Sequence, residues 1–193
     1  MVDTDAVVVV GKKVLLREKR ADDADADFRW RRDPELAELD AASVIRQSLK
    51  DFRRDLESEL HHPTPWVRRY AIDTVEGVHI GNCMAYDIDT LRGESEIGIL
   101  VGERDYWNDG YGREALKLLL EEMFKIETMN RVYLHTLRWN ARARRAFAGA
   151  GLREVGPDPR GGHDFILMET TRAEWEAFRQ RDLAAQDDTR PAP

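Results

Sequence analysis

Residues 96–124 read EIGILVGERDYWNDGYGREALKLLLEEMF, and no other stretch limits the fold so tightly. Residues 96–101 form a short apolar run rich in Ile, Leu and Val, long enough for a buried strand and too short for a helix. Asn108, Asp109, Gly110 and Gly112 then bring turn chemistry. From Arg113 the period changes: Leu116, Leu119, Leu120, Met123 and Phe124 recur at the spacing of one helical face. The order is strand, glycine-bearing turn, helix. A helix that opens on glycines offers unpaired N–H groups and a partial positive charge, with no side chain to keep an anion away. The stretch suits a phosphate.

At 193 residues the chain is long enough for one domain with a sizeable core, expected over residues 11–183, with flexible termini at 1–10 and 184–193. The net charge of −7 argues against a nucleic-acid partner held through phosphate contacts and tolerates cationic substrates such as amines. Cys83 is the one cysteine, which precludes an internal disulfide and suits a reducing compartment. The apolar run at residues 7–10 is too short for a membrane span, and acidic residues precede it. A cytoplasmic protein with no membrane partner is expected.

Ahead of the central stretch, residues 13–17 read as a strand, 21–32 as a helix stopped by Asp33-Pro34, and 48–60 as a second helix ended by His61-His62-Pro63. Residues 67–74 and 78–87 are β-rich around Val75-Glu76-Gly77, a hairpin. Behind it come a strand at 131–137, an Ala-rich helix at 140–150 stopped by Gly151, and closing strands at 152–155 and 164–169. A last helix covers 171–183, with Trp175 and Phe178 inward. Hairpins followed by a strand–helix–strand crossover predict an α/β (α+β) architecture: a mixed, mostly antiparallel central sheet with helices on its faces.

The glycine turn admits more than one reading from its residues. It can simply lead the chain into a helix. It also fits the dinucleotide fingerprint G-x-G-x-x-A literally, as Gly110-Tyr111-Gly112-Arg113-Glu114-Ala115. That fingerprint expects an acid roughly 20 residues on, after the next strand, and a place in the first strand–helix–strand unit. Here the next strand ends in Thr136-Leu137-Arg138 and hairpins come first, so the reading fails twice. A Walker loop fails for want of Gly-Lys-Ser/Thr.

A third reading uses more of the chain. Trp107-Asn108-Asp109-Gly110-Tyr111-Gly112 resembles motif A of the Gcn5-related N-acetyltransferases (GNAT), Gln/Arg-x-x-Gly-x-Gly/Ala, with Trp at the Gln/Arg position. The phrase YWxxGYGxEA is most similar to the branch of ribosomal-protein, spermidine and aminoglycoside acetyltransferases. Asn140-Ala141-Arg142-Ala143-Arg144-Arg145-Ala146-Phe147, followed by Gly151-Leu152, is similar to motif B, and LLREKRADDADADFRWRRDP to the branch's first strand and helix. Three blocks in the right order span residues 14–175.

The resemblance implies a sheet splayed at the motif-A strand, with the pantetheine arm of acetyl-CoA in the gap. It assigns backbone pairing with that arm to Ile99, Leu100 and Val101, and pyrophosphate binding to the amides of Asn108, Asp109, Gly110, Tyr111, Gly112 and Arg113. Asn140 would meet the arm from the other side, or cap its own helix, or both. Arg113, Arg142, Arg144 and Arg145 are candidates for the remaining phosphates. Glu96, fourteen residues before the first motif glycine, matches the family's catalytic glutamate, and its apolar run would raise a carboxyl pKa toward that of a useful base. Glu94 is its substitute, while Glu114 reads as a first-turn acid complementing the helix dipole. Phe147 stands where many members carry a proton-donating Tyr and reads as core, so the thiolate would leave unaided or through water. The Val101 N–H would stabilise the oxyanion.

The activity implied is acetyl transfer from acetyl-CoA to a primary amine, a protein N-terminus or a small molecule, by direct attack in a ternary complex. A non-catalytic acyl-CoA sensor or scaffold is the alternative that Phe147 keeps open. Partners are acetyl-CoA and the amine, with no nucleic acid; a homodimer is compatible with the family. No metal is expected, since His61-His62 lacks further ligands at sensible spacing. Trp30, Trp66 and Trp139 read as core, the charges at 22–27 and 29–32 as solvated helix faces, and Asp164 as a turn residue.

Overall fold

The computed structural model describes residues 7–188. Eight strands form one sheet in the order β1-β2-β3-β4-β5-β6-β8-β7. They are β1 (Val7–Val10), β2 (Val14–Glu18), β3 (Arg68–Thr74), β4 (His79–Asp89), β5 (Glu94–Val101), β6 (Arg131–Leu137), β7 (Arg153–Pro157) and β8 (Phe165–Thr171). Every neighbouring pair is antiparallel except β5–β6. The helices are α1 (Ala24–Arg31), α2 (Pro34–Leu39), α3 (Leu49–His61), α4 (Tyr111–Phe124), α5 (Ala141–Gly149) and α6 (Arg172–Asp188). The expected mixed sheet with flanking helices is the fold.

α4 is the centre of the core. Leu116, Leu119, Leu120 and Met123 are fully buried and meet Val14, Leu16, Ile72, Ile80, Ile97, Leu134 and Met168 from one sheet face. Each such leucine contributes roughly 2 kcal/mol through burial. Phe147 belongs to the same cluster, as expected of it.

The termini are more ordered than their composition suggests. Residues 7–10, expected to be loose, pair with β2 as an edge strand, and α6 continues to Asp188. Residues 1–6 and 189–193 lie outside the described residues. Asp33-Pro34, expected to stop a helix, starts one as well. Asp33 Oδ1 accepts from Glu35 N at 3.0 Å and Leu36 N at 3.1 Å, and Pro34 opens α2 where its missing N–H costs nothing.

The opposite sheet face carries α1 on a buried set of charges, which corrects the solvated-face reading of residues 22–27. Arg17 bonds Asp23 and Asp73, each at 2.7 Å. Lys19 Nζ reaches Asp27 at 2.5 Å and Asn82 at 2.6 Å. His79 faces Asp73 through Nδ1 at 3.0 Å and Asp27 through Nε2 at 3.3 Å, while the Trp30 ring lies 5.0 Å from its own. Three carboxylates inside a protein need three cations, and a protonated His79 completes the count.

Trp66 and Trp139 are exposed, against expectation, whereas Trp30 is buried. Asp164 pairs with Arg138 at 2.6 Å rather than with turn amides. Among the described residues no helix is long and apolar enough to cross a membrane, and no His, Cys, Asp and Glu gather into a metal-binding group.

Candidate active site

β5 and β6 pair only at Glu94↔Arg131, Ser95↔Val132 and Glu96↔Tyr133. Beyond Glu96 they part: β5 stays with β4 as far as Val101, and β6 stays with β8 as far as Leu137. The wedge between them belongs to a cleft of about 1540 Å³ that also takes in the glycine turn, Asn140 and the face of α2.

Backbone groups alternate in direction along a paired strand. Gly102 N donates to Ile80 O at 2.9 Å, toward β4. Leu100 O points the same way, since a Cβ at Gly81 of β4 would stand 2.2 Å from it. The backbone groups of Ile99 and Val101 therefore face the wedge, and Val101 O is tethered there by Trp107 Nε1 at 2.7 Å. Leu100, expected to offer backbone groups to a ligand, turns them to β4 and brings only its side chain to the cleft.

In the turn, Asn108 (φ 64°) and Gly110 (φ 85°) are left-handed, and α4 begins at Tyr111. Such turns aim successive N–H groups into an anion-sized concavity. The Asp109 carboxylate is held aside by Lys13 Nζ at 2.8 Å, so only its backbone is available to an anion. Tyr111 packs its ring on Tyr106 at 5.0 Å. Glu114 does more than complement the helix dipole: its carboxylate accepts the backbone N–H groups of Lys12 and Lys13, fastening the β1–β2 turn to α4.

Arg113, Arg142 and Arg145 line the cleft and make no ion pair among the described residues. The Arg142 guanidinium lies 3.6 Å from the Trp107 ring centre, and partial burial lowers its pKa. Arg144, grouped with them on sequence, is tied to Glu154 at 2.7 Å. Asn140 caps α5, its Oδ1 accepting from Ala143 N at 3.1 Å; the donor end of the amide suits a ligand carbonyl. These residues fit a pyrophosphate and an amide-bearing arm: a turn of open N–H groups, unpaired guanidiniums and a strand edge with bonding capacity.

Ile97 lies in the core under α4, so the alternation points Glu96, Gly98 and Leu100 to the other face, where Leu36, Leu39 and Asp40 line the cleft. Glu96 is nearly buried at the fork. Its Oε1 lies 2.7 Å from His135 Nδ1, and Tyr86 stands opposite it in the β4–β5 register. Burial first, then the neighbouring Glu96 carboxylate, push the Tyr86 pKa far up, so it stays a phenol. His135 Nε2 is 2.6 Å from Arg160 Nη2 and 3.0 Å from Asp158 Oδ2. Glu94, the substitute candidate, is engaged by Arg131 at 3.1 Å.

Tyr86, His135 and Arg160 were not singled out in the sequence. The signal was in β6, where Arg131, Tyr133 and His135 alternate with buried Val132, Leu134 and Thr136. Polar side chains at every second place of an inner strand mark a wetted face.

The profile of the acetyltransferase (GNAT) domain family matches residues 13–153. An aminoglycoside acetyltransferase AAC(6')-Ib in complex with coenzyme A superposes with a TM-score of 0.72 at 21% identity, over 86% of this chain and 99% of that one. A spermidine N-acetyltransferase from Vibrio cholerae, in complex with CoA and spermine, gives 0.74 at 16% identity over 84% and 98%. A GNAT-family acetyltransferase from Bacillus anthracis gives 0.71 at 18% over 84% and 97%. No curated protein sequence matches the chain.

Proposed function

This chain belongs to the GNAT acetyltransferase family, and on that premise we propose that it acetylates a primary amine, a protein N-terminus or a small molecule, by direct attack on acetyl-CoA in a ternary complex. The observation that carries the reading is the position of Glu96: the last β5 residue paired to β6, it stands where the two strands part. A nearly buried carboxylate is thereby placed at the narrow end of a cleft whose other end carries the glycine turn and unpaired arginines.

Acetyl-CoA supplies the acyl group as a thioester. The turn amides from Asn108 to Arg113, with Arg113, Arg142 and Arg145, hold its phosphates, and Ile99 and Val101 bond its arm as a further strand would. An alkylammonium with a pKa near about 10.4 must lose a proton before it attacks. Glu96 takes that proton. The amine nitrogen then bonds the carbonyl carbon, the Val101 N–H steadies the oxyanion, and the C–S bond breaks. The thiolate, whose thiol has a pKa of about 8.5, leaves and receives by way of water the second proton that the new amide nitrogen sheds, Phe147 having no proton to give.

The acceptor approaches the face with Tyr86, Glu96 and Asp40, which suits a cation. Spermine and kanamycin, bound by the structural relatives, are first choices for an acceptor panel, beside a peptide with a free N-terminus. The test is calorimetric titration with acetyl-CoA, then thiol release with the panel. Glu96→Gln is expected to bind acetyl-CoA as the parent does and to lose turnover by about 10²- to 10⁴-fold. Gly110→Glu is expected to lose binding itself. Acetyl-CoA binding with no thiol release from any amine would instead support the sensor reading.

A further inference from the structure

We infer that His135 is the positioning residue of Glu96, held in its Nδ1–H form by Arg160 of the β7–β8 loop. The inference rests on the reading of Glu96 as the base. Arginine only donates hydrogen bonds. With Arg160 Nη2 2.6 Å from Nε2, that nitrogen must present a lone pair. A neutral imidazole has one N–H, so it lies on Nδ1, aimed at Glu96 Oε1 2.7 Å away. The opposite tautomer would set a lone pair of Nδ1 against the carboxylate. Asp158 Oδ2, 3.0 Å from Nε2, is bridged to it by Arg160, which it holds at 2.5 Å.

The groups facing His135 come from every element around it: Glu96 on β5, Tyr133 on its own strand, Asp158 and Arg160 on the loop, and Phe165 on β8 at 6.2 Å between ring centres. Tyr86 on β4 stands opposite Glu96 in the register. The loop gives Arg160 a fixed seat. Arg160 and His163 exchange backbone bonds of 3.1 and 3.0 Å across Gly161 and Gly162, both at positive φ.

An ionised carboxylate accepts about four hydrogen bonds. His135 takes one, which restrains the rotation of Glu96 and leaves lone pairs for the incoming ammonium. Held this way, Glu96 meets the amine in one orientation, and the loop that carries Arg160 decides whether it does.

Two readouts test this. In protein labelled with ¹⁵N at histidine, the long-range proton–nitrogen spectrum near neutral pH should show His135 as the Nδ1–H tautomer, identified by its absence in His135→Asn. Arg160→Gln should move it toward Nε2–H, donating to Asp158. An Nε2–H or doubly protonated His135 in the parent, or a tautomer unmoved by Arg160→Gln, would overturn the inference.

The second readout is turnover with an accepted amine. Asn keeps an N–H where Nδ1 stands, so His135→Asn should stay within about five-fold of the parent kcat. His135→Leu should fall on the order of 10²-fold, with acetyl-CoA affinity unchanged in both. Equal losses in the two variants would sink the positioning role. A fully active Glu96→Gln would remove the base reading and leave the tautomer result standing.

Discussion

At the scale of residues, the neighbours of Glu96 are decided by sheet register. Glu96 itself was legible because one acid in an apolar run, at a fixed distance from a glycine turn, is conspicuous in one dimension. His135 is 39 positions away and meets Glu96 only because β6 lies parallel to β5, so no local spacing announces it. Arg144 and Arg145 could not be told apart for the same reason: one helical step decides which faces Glu154 and which the cleft.

Trp107 makes a sharper test at this scale, because it both tethers Val101 O and lies beneath Arg142. Trp107→Phe keeps a ring for Arg142 and removes a hydrogen bond worth about 1 kcal/mol, so acetyl-CoA should bind about five-fold more weakly by titration. Trp107→Ala also removes the cation–π contact and should bind more weakly still. Equal affinity in the parent and Trp107→Phe would mean that the tether is dispensable.

Among the elements, α1 is held by charge where α4 is held by leucines. That difference explains why α4 could be read from its period and the burial of Asp23 and Asp27 could not: an acidic helix looks solvated until the cations beneath it, on β2, just past its end and on β4, are known. Its stability should follow pH from both sides. His79 has a raised pKa, opposed by burial and produced by its bonds to Asp27 and Asp73. Its contribution is full below its unfolded value of about 6.5 and is lost as pH rises through the raised one.

Asp27 and Asp73 have lowered pKa values, and Asp23 is lowered to about 2, all despite burial, through bonds to His79, Lys19 and Arg17. Their contribution is full above the unfolded value of about 3.9 and is lost as pH falls through the lowered ones. Denaturant midpoints should therefore be highest between about pH 4 and 6.5 and decline above that range, and His79→Asn should flatten the alkaline decline. A midpoint that rises steadily from pH 6 to 8 in the parent would contradict the protonated His79. Arg17→Met takes a shared cation from two buried carboxylates, leaving Asp73 to His79 and Asp23 to Lys19, and should cost about 3–5 kcal/mol in the same measurement. Losing the cap of α2 in Asp33→Ala should cost only about 1 kcal/mol.

For the whole molecule, a ligand that seats between the two halves of the sheet adds its binding free energy to stability. At 100 times its Kd, acetyl-CoA should stabilise the protein by about 2.7 kcal/mol, a rise in Tm of roughly 5–10 °C by calorimetry. The Gly110→Glu variant should show no rise. The layered α/β plan was readable because hairpin turns and changes of period are local signals. The splay was implied only by resemblance, since it is defined by pairings β5 and β6 do not make.

Those missing pairings give the sheet edges in its middle as well as at its rims. From Ile99 to Val101, the amides that turn away from β4 face a cleft instead of a neighbouring strand. In heavy water the Ile99 and Val101 amides should trade their hydrogens far sooner than that of Leu100 between them, a sawtooth in the middle of a core strand. Adding acetyl-CoA should erase the sawtooth, so that the small molecule leaves the same protection pattern as a strand.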